Sequence, residues 1–131
     1  GRAAVQALLE QVLPDHAQLL EFWVCGEDVG RKKPHPAAYL QALQRLELPA
    51  AAALAVEDSG NGVAAAVAAG LRVLVTRSAS SSAEPDQRFA AAAAELDQLG
   101  EPGARCIVQR GPACPEGLVT LSYLQQLLPS A

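Results

Sequence analysis

No methionine occurs anywhere in these 131 residues, and aromatic side chains make up only 4% of them. A core without Met, and with two Phe, two Tyr and one Trp, has to be filled by Leu, Val and Ala, which suits helices laid over a sheet. The missing initiator Met points to a segment of a longer protein. The start, Gly1-Arg2-Ala3-Ala4-Val5, is helix-like and is not a signal peptide. Cysteines are few and odd in number: Cys25, Cys106 and Cys114 form neither a disulfide framework nor a Cys-x-x-Cys metal site, and they point to a reducing compartment. No basic run exceeds Arg31-Lys32-Lys33, and ten basic against fourteen acidic residues leave a net charge of −4. That balance argues against a nucleic-acid surface. No stretch approaches the ~18 continuous apolar residues of a membrane span.

What is present is one domain's worth of alternating elements, residues 1–131 without internal repeat, long enough to bury roughly two-thirds of its unfolded surface. Val5, Leu8, Leu9, Val12 and Leu13 follow helical spacing up to Pro14. Phe22 to Cys25 reads as a strand ending at Gly26. Pro36 suits the first helical position of a second helix, whose apolar stripe is Tyr39, Leu40, Leu43 and Leu46 and which Pro49 closes. Leu54 to Val56 is the next strand, Val63 and Val67 mark a helix ending at Gly70, and Arg72 to Thr76 is a third strand. Helix and strand alternate, which predicts right-handed crossovers and a parallel sheet covered on both faces. Residues 78–85 read as a serine-rich flexible linker, Phe89 to Leu99 as helical, and Cys106 to Val108 as an edge strand. Gly111 to Gly117 reads as a loop. Thr120 is placed to cap a last helix with Leu121, Leu124, Leu127 and Leu128 inward.

The chemistry concentrates in Val56-Glu57-Asp58-Ser59-Gly60-Asn61-Gly62. Two carboxylates leave a buried strand directly before a helix, the place where open α/β sheets bind ligands. One of them could simply cap the helix. Two together repel, and burial raises a carboxyl pKa unless a cation is near, so the pair is equally a candidate Mg²⁺ site. Ser59 and Asn61 could orient a metal's ligands or supply ordinary turn chemistry. Lys33 lies in Lys33-Pro34-His35-Pro36, where two prolines stiffen the backbone. It reads either as a surface lysine or as a fixed ammonium offsetting the charge of a reacting phosphoryl group. His35, flanked by prolines, and His16, in an interhelix loop, have no visible ligand partners.

Together these segments resemble the haloacid dehalogenase superfamily, in particular its β-phosphoglucomutase-like sugar-phosphate branch. That branch carries Lys-Pro-x-Pro-x-x-Tyr, here Lys33-Pro34-His35-Pro36-Ala37-Ala38-Tyr39. About 25 residues later it has Glu-Asp-Ser-x-x-Gly, here Glu57 to Gly62, and then an alanine-rich helix ending Ala68-Ala69-Gly70. The resemblance covers roughly Ala3 to Thr76. It implies a Rossmann-like three-layer α/β/α core with a parallel sheet and the site at its C-terminal edge. It also implies a Mg²⁺-dependent phosphatase acting on small sugar phosphates through an aspartyl-phosphate. Glu57 and Asp58 match the family's metal-site acids, with Asp58 a direct ligand. Lys33 matches the lysine that steadies nucleophile and phosphate, and Ser59 and Asn61 take supporting positions.

The family's Asp-x-Asp-Gly nucleophile strand, its phosphate-binding Ser/Thr and its cap domain have no counterpart in these residues. The chain therefore reads as an incomplete core domain, a C-terminal half that is inactive alone. Alternatives are a phosphomutase of the same branch, or a non-catalytic remnant or interaction protein. A phospho-receiver also pairs acids with a lysine, but there the acids come first. Similarity to phosphatases acting on xylulose bisphosphate in photosynthetic organisms rests on the lysine's basic context and the tail Val119 to Leu124. The implied partner is a small phosphorylated metabolite, with no nucleic acid and no membrane, for a protein monomeric when complete. Its implied location is the cytoplasm, or a plastid in a photosynthetic eukaryote.

Overall fold

The computed structural model describes residues 1–129, with every side chain except that of residue 17. The helices are α1 (Arg2–Val12), α2 (Ala37–Leu46), α3 (Gly60–Ala68) and α4 (Leu121–Leu127). The strands are β1 (Leu54–Glu57), β2 (Arg72–Thr76), β3 (Ala94–Leu96) and β4 (Val108–Arg110). They form one sheet in the order β1-β2-β3-β4. β1, β2 and β3 run parallel, with Glu57 opposite Val75 and Leu74 opposite Ala94, and β4 returns antiparallel to β3.

The two-residue side-chain period of a strand sorts the core into two halves. Ala55, Val73 and Val75 face one side, where Leu43 of α2, Val63 and Ala66 of α3, and Phe89 close over them. Leu74, Ala94 and Leu96 face the other, against Cys106 and against Tyr123 and Leu127 of α4. The result is three layers, helix over sheet over helix. α3 lies close to the sheet because its inward positions are Ala65, Ala66 and Val63, all fully buried. It ends as its sequence predicts: Gly70 takes φ +83°, its N–H bonds Val67 O, and the Leu71 N–H reaches Ala66 O. Those paired bonds satisfy the last carbonyls of the helix. Thr120 caps α4 by accepting from the Tyr123 N–H at 3.2 Å.

Four expectations need correction. Phe22 to Cys25 forms no strand. A strand exists through its ladder partner, and among the described residues none pairs with this segment; instead Arg45 lies over the Phe22 ring at 4.2 Å. Phe89 to Leu99 is not a helix but a 3₁₀ turn, Asp86–Phe89, followed by β3. Its alanines favour a helix by propensity, yet the buried Phe89 and the pairing of Ala94 with Leu74 decide otherwise. The last edge strand falls at Val108–Arg110 rather than at 106–108 and runs antiparallel, so the sheet is mixed. In α4 it is Tyr123 and Leu127 that are buried, while Leu121 is exposed.

α1 buries no residue of its own. Its first turn is tied to the loop after Cys25, where the Arg2 N–H bonds Glu27 at 2.6 Å and the Arg2 guanidinium pairs with Asp28.

Candidate active site

The site begins at the C-terminal end of β1. Alternation sends the Glu57 side chain to the face of Ala55, Val73 and Val75, and the chain then turns into α3. The carboxylate is thereby driven under the first turn of that helix and is only 6% exposed. Gly62 makes room for it: a Cβ there would sit 1.7 Å from Glu57 Oε2. A charge so placed costs several kcal/mol unless it is paired and hydrogen-bonded. Both conditions are met. Lys33 Nζ forms an ion pair with Glu57 Oε1, and the Tyr39 hydroxyl donates to the same oxygen.

Lys33 and Tyr39 support each other as well. The ammonium lies 5.0 Å from the centre of the Tyr39 ring and 3.5 Å from its hydroxyl. Lys33 comes from the proline-bracketed turn before α2, across a cis peptide to Pro34, while Tyr39 stands on the first turn of α2. Burial pushes the Tyr39 hydroxyl above its ordinary pKa, and the bond to Glu57 and the charges of Glu57 and Asp58 push it further in that direction.

Asp58, next in the chain, is exposed. Ser59 is the N-cap of α3, its hydroxyl accepting from the Gly62 N–H at 3.3 Å. Asn61 is exposed and accepts from Arg88 Nη2 at 2.7 Å. The structure thus brings Lys33 and Glu57 into contact, sets Asp58 beside them, and turns Ser59 and Asn61 toward Gly62 and Arg88. His35 Nδ1 accepts from the Ala37 N–H at 3.2 Å at the start of α2, and His16 is exposed in its loop.

Four residues at this site have no role assigned from the sequence: Tyr39, and Ser81, Glu84 and Arg88, which reach the Asp58 carbonyl, the Gly60 N–H and Asn61. Tyr39 carries a signal in its place on the first turn after Pro36. Ser81, Glu84 and Arg88 carry none that reaches the acidic turn, although Glu84 and Arg88 have the (i, i+4) spacing of an ion pair.

Hard carboxylate oxygens are the donors that Mg²⁺ takes, and Glu57 and Asp58 fit it in kind. They do not fit it in number: among the described residues no three Asp, Glu, His or Cys side chains converge on one point, and one Glu57 oxygen is already held by Lys33 and Tyr39. Further oxygens would have to come from other groups.

A family model described as haloacid dehalogenase-like hydrolase matches residues 2–70, more than half of the chain, with Lys33 and the acidic turn inside the match. The chain belongs to this hydrolase family. Like its relatives, this haloacid dehalogenase-like chain has a Rossmann-like α/β core. It is 50% identical over 78 residues to protein CbbY of Rhodobacter capsulatus, a match covering 59% of this chain and 34% of that protein. To hexitol phosphatase B of Escherichia coli K12 it is 33% identical over 96 residues, covering 72% of this chain and 42% of the other. The crystal structure of a CbbY mutant from Rhodobacter sphaeroides, in complex with xylulose-(1,5)bisphosphate, is similar at a TM-score of 0.53 and 42% identity. That likeness covers 57% of this chain and 33% of the other. The chain spans about a third of the length of the CbbY relatives it matches.

Proposed function

We propose that this chain carries part of the active site of a Mg²⁺-dependent phosphatase for small sugar phosphates, with a sugar bisphosphate the first substrate to try. The observation that carries this reading is the ion pair of the buried Glu57 with Lys33, with an exposed Asp58 next to it in the chain, at the C-terminal end of a parallel strand. Its support from outside the chain is likeness to a hexitol phosphatase and to a CbbY structure holding xylulose bisphosphate.

In this reading Asp58 is the direct ligand of the cation and Glu57 the second acid at its edge. Bound Mg²⁺ would neutralise charge on the phosphate and its attacking group. Lys33, fixed by Glu57 and Tyr39, presents a positive charge whose position costs nothing to reorganise during the reaction. The nucleophilic aspartate and the rest of the cation's oxygens belong to a part of the protein outside these residues. A phosphomutase would use the same groups, and no observation here favours it over hydrolysis.

The test is Asp58→Asn in the complete protein. It keeps the size of the side chain and removes its charge, and phosphate release from xylulose bisphosphate is expected to fall by more than ~100-fold, since loss of a group that only orients a metal ligand already costs ~10–100-fold. Release at the unaltered rate would overturn the assignment of Asp58.

A further inference from the structure

The acidic turn is held from two sides, and Lys33 and Tyr39 account for only one. The other is the segment between β2 and β3, which lies outside residues 2–70. Ser81, 2% exposed, donates its hydroxyl to the backbone carbonyl of Asp58. The Glu84 carboxylate accepts from the Gly60 N–H at 3.3 and 3.4 Å, at the first turn of α3, where a negative charge is favoured. Arg88 joins the two ends, pairing with Glu84 at 2.6 Å and with Asn61 at 2.7 Å.

The approach is close enough to dictate sequence. A Cβ on Gly60 would lie 2.5 Å from Glu84 Oε2 and 2.6 Å from Arg88 Nε. Gly60 does not have a positive φ, so its missing side chain makes room for this segment rather than for an unusual backbone. The segment is itself anchored: Arg77 pairs with Glu95 at 2.6 Å and lies 4.0 Å over the ring of the buried Phe89. Residues 58, 60 and 61 are therefore all gripped from a fixed base.

Because Asp58 is exposed, the aim of its carboxylate follows from its backbone, and the contact on that backbone is Ser81. We propose that Ser81, Glu84 and Arg88 are positioning residues that set the direction of the Asp58 carboxylate relative to Glu57. The proposal rests on the reading of that acidic pair as a cation site. None of the three touches substrate or cation; they act through residues 58 to 61.

The test uses the complete protein and measures Mn²⁺ affinity from the free-ion signal in electron paramagnetic resonance, with the thermal midpoint recorded beside it. Ser81→Ala is expected to weaken Mn²⁺ binding roughly 10-fold, as loss of a group that orients a ligand does. Arg88→Gln, at a side chain 42% exposed, tests the same grip without emptying a buried position. It is expected to weaken binding in the same direction even if Ser81→Ala does not fold. Leu127→Ala, on the opposite face of the sheet, controls for general loosening: its midpoint falls and its affinity stays. Unchanged affinity in both Ser81→Ala and Arg88→Gln, with affinity lost in Asp58→Asn, overturns the positioning role alone. Unchanged affinity in Asp58→Asn overturns the cation reading and the positioning role with it.

Discussion

At the scale of single residues, opposing effects meet at Gly62. Alanine in place of a helical glycine ordinarily gains about 1 kcal/mol. Here the new methyl would overlap the Glu57 carboxylate, 1.7 Å from Oε2, and would push it off Lys33 and Tyr39. Overpacking of this kind costs about 1–3 kcal/mol, and the lost pairing of a buried charge adds to it, so the steric effect wins. Gly62→Ala is expected to lower unfolding free energy by about 2 kcal/mol in a denaturant titration; a gain in stability would mean Glu57 is not held where it is described. Tyr39 makes a second prediction. Its folded-state pKa lies above the ordinary 10.0, so above pH 10 the unfolded chain releases a proton that the folded one keeps. Its contribution is full below pH 10 and declines as pH rises further. The drop in thermal midpoint between about pH 9 and about pH 11 is expected to be smaller in Tyr39→Phe than in the parent, and equal slopes would contradict the assignment.

At the scale of elements, short helices need their ends. α4 has seven residues, too few to stand alone in water, so its cap and its two buried side chains carry it. Thr120→Ala removes the acceptor for the Tyr123 N–H and is expected to cost about 1 kcal/mol, read by chemical denaturation; no change would mean that packing of Tyr123 and Leu127 suffices. The elements that were legible in the sequence share this local character. α3 announces itself by Gly70 after it, although its cap is Ser59 rather than one of the two carboxylates, and β2 by a β-branched run between turns. The elements that were not legible depend on a neighbour. Phe22 to Cys25 has strand composition and no ladder partner among the described residues, while Ala94 to Leu96 has helical composition and a strand partner in β2.

At the scale of the whole molecule, the sheet leaves β1 at one end of its order, with Val56 there 49% exposed, and α1 contributes nothing to the core. In the proposed reading the acidic pair and Lys33 would hold a cation and a phosphorylated ligand, and the nucleophile is not among them. The isolated 131-residue chain is therefore expected to release no phosphate from xylulose bisphosphate or hexitol phosphates in the presence of Mg²⁺, followed by a colorimetric phosphate assay. Turnover by this chain alone would mean that one of its own side chains is the nucleophile.

Lys33, Glu57 and Asp58, with their order, spacing and flanking prolines and glycines, are properties of the sequence by itself. So are the helix caps and the strands with a strong period of two, because each depends on residues within a few positions of one another. The tertiary structure alone decided that the two neighbouring acids lead different lives. Alternation along β1 turns Glu57 into the protein, where burial demands the partners Lys33 and Tyr39, and leaves Asp58 facing water. Ser81, Glu84 and Arg88 reach the same turn only because β2 and β1 lie side by side, a proximity that no local pattern encodes.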